Sequence, residues 1–204
     1  MDLLPVIKSL RQNRPVFHSE ADFQFALAWD IKLEYSDAKI RLEVPCGTSV
    51  KGRVDIVVRF DSAVIPIELK YLRKRQSFNV NGEQFNLIDG VHDMHMHDCI
   101  KDVSRLETFR SQMSGFLKGY SIWLTNDAAY WDPNYYASYY SEFHAPQASV
   151  KSGMMSFQAG AKLNTNPQYE SPITLTGTYD VDWHDYSDLG TKNGQFKFAL
   201  FKIY

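Results

Sequence analysis

Two short β-type segments in tandem constrain this chain most. Residues 53–60 and 64–71 alternate apolar and polar side chains, and only Asp61, Ser62 and Ala63 separate them. That spacing predicts a β-hairpin with a short polar turn. Successive strand side chains point to opposite faces, so Val54, Ile56, Val58 and Phe60 are expected on one face of the first strand. In the second strand Ile65, Ile67 and Leu69 share a face, and Glu68 and Lys70 share the other. Asp55 reaches that polar face across the pair. Two carboxylates one strand spacing apart, roughly 5 Å, repel one another and raise a pKa unless a cation lies between them. A hard divalent metal resolves the conflict, and a lysine beside it can hold a phosphate or a water.

The flanking segments extend this unit. Ser19-Glu20-Ala21-Asp22 fits a helix start with Ser19 as N-cap. The helix is expected to run to about Tyr35, with Phe23, Leu27 and Ile31 on its core stripe. Glu20 is either a first-turn glutamate favoured by the helix dipole or a further carboxylate of the polar site. A short helix over 3–12 precedes it, and 40–44 alternates as a first strand. Residues 46–52 read as a loop. After Lys70 comes the basic run Arg73, Lys74, Arg75 and a polar stretch to about Asp93, read as one long loop. That run is either a solvated turn or a phosphate-contacting segment.

From about Met96 to Leu117 the periodicity is helical, with Gly119 closing the helix. Asp98, Asp102 and Arg105 form a second face, either a solvated salt-bridged surface or one that turns Lys101 and Arg105 toward a backbone phosphate. His92, His95 and His97 lack the spacing of a helical metal motif and read as exposed residues at a helix start. Residues 120–125 form a buried strand. Further on, 131–140 reads as a tyrosine-rich helical start, 173–182 and 195–203 as late strands, and 183–194 as a polar loop.

Val54-Asp55, a gap of twelve residues, then Glu68-Leu69-Lys70 resembles the PD-(D/E)XK nuclease superfamily, with Val54 in place of the proline that names the motif. The order helix–strand–strand–strand–helix–strand over about 19–126 also resembles its restriction-endonuclease-like core. The resemblance implies an α/β fold with a mixed central sheet flanked by helices, followed here by a β-rich extension over about 127–204 within one domain. It implies a Mg²⁺-dependent endonuclease, with Mn²⁺ able to substitute, acting on nucleic acid and taken here as DNA. Asp55, Glu68 and the Leu69 carbonyl would hold the metal, with Glu20 accessory. Lys70 would orient or deprotonate water, or stabilise charge on the phosphate. Arg73, Lys74, Arg75, Lys101 and Arg105 would contact nucleic acid. A homodimer stays open. The alternative is a module of the same fold that binds nucleic acid without cutting it.

Composition sets the outer bounds. With 44% hydrophobic and 14% aromatic residues the chain can bury a full core. Its 22 Lys+Arg against 24 Asp+Glu leave a net charge of −2, which counts against nucleic-acid binding unless the carboxylates of the site are masked by metal. No apolar run reaches the ~18–20 residues of a membrane helix, and the first residues carry no secretory pattern. Cys46 and Cys99 have no metal-like spacing, so a cytoplasmic protein with reduced thiols is expected.

Overall fold

A computed structural model describes residues 1–45, 52–88, 92–161 and 169–204. The protein is a mixed α/β structure around a six-stranded sheet. The chain runs α1 (Leu3–Asn13), α2 (Glu20–Glu34), β1 (Lys39–Pro45), β2 (Arg53–Phe60), β3 (Ala63–Leu72), β4 (Gln76–Val80), β5 (Glu83–Leu87), α3 (His92–Gln112) and β6 (Gly119–Thr125). It continues through β7 (Val150–Met155), β8 (Ile173–Asp180), β9 (Trp183–Asp188) and β10 (Gln195–Ile203). The six-stranded sheet has the order β1-β2-β3-β6-β10-β9, in which β3 and β6 pair in parallel and the other neighbours are antiparallel. No helix among the described residues is long and apolar enough to cross a membrane.

Local chemistry accounts for these elements. The Ser19 hydroxyl accepts the Asp22 N–H and starts α2, whose Phe23, Leu27 and Ile31 are fully buried. The β2–β3 hairpin turns through Asp61, which has a positive φ of 42°. All seven residues of β6 are buried, as expected for a strand that pairs on both edges with both faces covered. One face of the sheet packs on α1 and α2 through Ile56, Ile65, Ile67, Leu69 and Ile122. The other packs on α3, where Ile100, Val103 and Leu106 meet Val57, Val64 and Trp123. The β7–β8 pair is joined to α3 through Glu107, which accepts the Thr176 and Gly177 N–H groups and the Tyr179 hydroxyl.

Several sequence expectations need correction. The long loop after Lys70 contains the β4–β5 hairpin, turned by Asn81 (φ 53°) and Gly82 (φ 87°). Helix α3 starts earlier and ends earlier than expected, and Gly119 begins β6 rather than closing the helix. The reversal after α3 falls instead at Gly115 (φ 78°), where a Cβ would lie 2.1 Å from the Ser62 carbonyl oxygen. Residues 131–140 form no α-helix, only 3-10 turns at Ala128–Tyr130 and Ser138–Tyr140 near them. The supposed loop after Trp183 holds β9, an edge strand of the main sheet. Of the expected loop 46–52 and the polar stretch before α3, residues 46–51 and 89–91 lie outside the described residues.

Candidate active site

The site forms where β1, β2 and β3 part. Strands β2 and β3 pair from Phe60↔Ala63 to Ile56↔Ile67 and no further. One residue on, the Asp55 side chain takes the place of a backbone partner, and its Oδ2 accepts the Leu69 N–H at 2.6 Å. On the other side, Leu42↔Ile56 and Val44↔Val54 pair, but Glu43 between them sits at φ 53°. This local break turns the strand over. Ile56 and Val58 pack toward α1 and α2, whereas Val54 packs toward α3, so the uniform alternation expected from the sequence fails at Asp55. Gln24 of α2 closes the break from behind, its Nε2 donating to the Asp55 carbonyl at 2.6 Å and to Glu43 Oε1 at 2.9 Å.

Glu68 and Lys70 share the α3 side, as their spacing requires, and α3 meets them with charge. Arg105 Nε donates to Glu68 Oε1 at 2.9 Å, and Arg105 Nη2 lies 2.7 Å from Glu68 Oε2. Lys70 Nζ lies 2.7 Å from Asp102 Oδ2, and Asp102 Oδ1 lies 3.1 Å from Arg105 Nη2. A continuous chain Lys70–Asp102–Arg105–Glu68 results. Lys70 Nζ also donates to the Leu69 carbonyl at 3.3 Å, and Glu20 Oε2 accepts the Tyr71 N–H at 2.8 Å. Asp55, Lys70, Asp102, Arg105 and Lys101 line an open cleft of about 520 Å³, with Arg53 at its wall. A second hollow of about 300 Å³ adjoins it, lined by Glu20, Arg73 and His95, and Lys70 and Asp98 border both.

The electrostatics show a surplus of buried negative charge. Burial pushes the Asp55 carboxyl up to about 6, against the Leu69 N–H and Lys70, and with the help of Asp102 and Glu20. Glu68 has no exposed surface. Burial and then Asp102 push its carboxyl up, and the Arg105 guanidinium opposes them. Burial works to lower the Lys70 ammonium, but Asp102 and Glu20 together outweigh it and hold it above the ordinary lysine value. Lys70 is therefore an ammonium at neutral pH. It can orient a water or a phosphate oxygen, and in this arrangement it has no free lone pair to take a proton.

The sequence-derived candidates divide accordingly. Asp55, Lys70, Lys101 and Arg105 line the cleft, the Leu69 N–H is held by Asp55, and Glu20 and Arg73 border the second hollow, whereas Glu68 lines neither and is buried against Arg105. Lys74 is drawn to Asp127 at 3.5 Å, and Arg75 is exposed on the surface. Asp102 is not the solvated salt-bridge partner its spacing allows but a buried member of the site. Gln24 and Glu43 had no signal in the sequence beyond the position of Gln24 one turn after Glu20. The histidines diverge: His92 bonds Asp127, His95 bonds the Tyr130 hydroxyl, and His97 is buried among Phe143, Phe157 and Tyr169 rather than exposed.

Asp55, Glu68 and the Leu69 carbonyl are hard oxygen donors, the class Mg²⁺ and Mn²⁺ prefer. Glu68 Oε2 is fully buried and ion-paired with Arg105 but has no aligned hydrogen bond, and Asp102 Oδ2 stands likewise toward Lys70. Among the described residues no three His, Cys, Asp or Glu side chains cluster closely enough to hold an ion unaided. Mg²⁺ commonly takes one or two carboxylates plus waters and substrate oxygens, so the donors fit, provided Arg105 yields Glu68. Comparison with family models, with curated proteins and with solved structures gives no match to this chain.

Proposed function

We propose that the cleft hydrolyses phosphodiester bonds in DNA with a divalent cation, in the manner of PD-(D/E)XK nucleases. One observation supports the reading: Asp55 and Lys70 share one cleft where β2 and β3 part, with the Leu69 backbone between them and Glu68 buried behind Arg105 in the wall of that cleft. The order α2–β1–β2–β3, the inserted β4–β5 hairpin, then α3–β6, with β3 parallel to β6, supports this reading. Asp55 and Glu68, with the Leu69 carbonyl, would hold Mg²⁺. When bound, the ion would neutralise phosphate charge and make water more acidic.

The chain's own groups do the rest. Lys70 places an ammonium on the attacking water or the phosphate. Glu20 is fixed by the Tyr71 N–H one residue beyond Lys70, where its free oxygen can accept from a water in the second hollow. Arg105, once it leaves Glu68, is a guanidinium at the wall of the cleft, suited to a phosphate oxygen. Arg53 and Lys101 stand in the same wall, interleaved with Glu43, Asp98 and Asp102. The alternative, a module that binds DNA without cleaving it, is favoured by the hold of Arg105 on both Glu68 oxygens.

The test is cleavage of supercoiled, linear and single-stranded DNA with Mg²⁺, Mn²⁺ or EDTA. Metal-dependent nicking that Glu68→Gln abolishes supports the enzyme. DNA binding with no cleavage under any metal supports the module.

A further inference from the structure

Helix α2 presents three faces with three different fates. Glu20 borders the second hollow and Gln24 backs Asp55, and Phe23, Leu27 and Ile31 enter the core. The third face carries Phe25, Trp29 and Leu33 at four-residue spacing, and these are 68%, 66% and 67% exposed. A helix of a lone globular domain puts charged and polar residues on its outer side, so a solvent-facing row of two aromatics and a leucine marks an interaction surface.

The row is a ridge between two grooves. A groove of about 700 Å³ separates it from α1, and one of about 470 Å³ separates it from the edge strand β1. Phe25 and Trp29 line both. The two grooves differ in charge. The α1 side carries Asp22 and Asp30, with Arg14 already paired to Asp22. The β1 side carries Lys32, Lys39 and Arg41, with no acidic residue in its wall.

We infer that this face docks on the same face of a second copy of the chain, across a twofold axis running close to the direction of α2. The ridge is an i, i+4, i+8 row, the kind that interdigitates with its like at about −50°. With Trp29 on the twofold, Phe25 and Leu33 of each copy fall into the grooves on either side of the partner's ridge. An axis near the helix direction exchanges left and right, so the acidic wall of each copy lies on the basic wall of the other. An axis across the helix sets like charges together. Area agrees: aromatic side chains bury roughly 150–250 Å² each, so the ridge offers roughly 400 Å². The groove walls bring the total toward the ~800 Å² per partner of a stable pair. The inference does not depend on the chemistry of the cleft, which lies on another side of the helix.

Sedimentation analysis of the full chain across the micromolar range tests it, with circular dichroism as the check on folding. The native chain should be a dimer, and Trp29→Asp should be a monomer with an unchanged spectrum. Asp30→Lys and Arg41→Glu should each weaken the dimer by roughly tenfold through like-charge contact, and the double variant should recover it. The charge variants are surface changes and remain informative if Trp29→Asp fails to fold. A monomeric native chain, or a dimer indifferent to Trp29→Asp, overturns the inference. A double variant weaker than either single one overturns the proposed axis.

Discussion

Replacing Arg105 with methionine is the sharpest perturbation of the site, because it removes one partner of a buried ion pair and keeps the volume. Glu68 has no exposed side-chain surface, and Arg105 is 18% exposed. Stranding such a carboxylate costs about 3–5 kcal/mol. For a domain of this size each kcal/mol lowers Tm by about 2–4 °C, so a fall of roughly 10 °C is expected at pH 8. The pH dependence has a definite sign. Burial, Asp102 and Asp55 already raise the Glu68 carboxyl against Arg105, so removing Arg105 raises it further. The cost is then full above the folded pKa, declines as pH falls and the carboxyl takes a proton, and is gone below the unfolded value near ~4.3. Melts followed by circular dichroism from pH 8 to pH 5 should show the gap to the native protein closing. Mn²⁺ should raise Tm more in the variant than in the native chain, since the cation replaces the lost guanidinium. Glu68→Gln combined with Arg105→Met should recover much of the loss. A loss under about 1 kcal/mol at pH 8, or a gap that ignores pH, refutes the buried pair.

Other perturbations follow from the same geometry. In metal-free protein Asp55→Asn should stabilise by about 2–3 kcal/mol above pH 6 and by little near pH 4, because burial raises this carboxyl to about 6; urea unfolding at the two pH values reads the difference. Gly115→Ala should cost at least about 2 kcal/mol, since a Cβ there meets the Ser62 carbonyl at 2.1 Å on top of a positive φ. Gly82→Ala, with positive φ but open space, should cost about 1 kcal/mol in the same unfolding assay. Arg53→Ala and Lys101→Ala should each flatten the salt dependence of DNA binding by up to ~0.9 log units, measured by fluorescence anisotropy. An unchanged slope would remove that wall from the binding path.

The sequence carried the central strands because their alternation is regular and their turn short. It did not carry the turn-over at Asp55, since the polar residue that ends the pairing looks like any other strand carboxylate. Strand β9 was illegible for a related reason. Its buried Trp183 and Tyr186 lie three apart because the β9–β10 register shifts between Phe196 and Lys197, and a period of three does not read as a strand. The β4–β5 hairpin was not read from the sequence, because its polar flanks hid the turn signal of Asn81-Gly82, a dipeptide that favours positive φ at both positions. Within the site, the two-residue spacing of Glu68 and Lys70 on β3 put both on the α3 side, where they meet Arg105 and Asp102. Asp102 was not, because spacing along α3 cannot separate an acid that meets solvent from one that meets Lys70.

The central claim, that this cleft performs metal-dependent cleavage, is tested most directly by measuring binding and single-turnover cleavage of one labelled DNA in the same samples. The native chain should bind and cleave with Mn²⁺ or Mg²⁺. Lys70→Ala should bind with nearly native affinity, because many backbone contacts share the electrostatic attraction, and lose most of its cleavage. Cleavage by Lys70→Ala at the native rate, or none by the native chain with either metal while it still binds, contradicts the account.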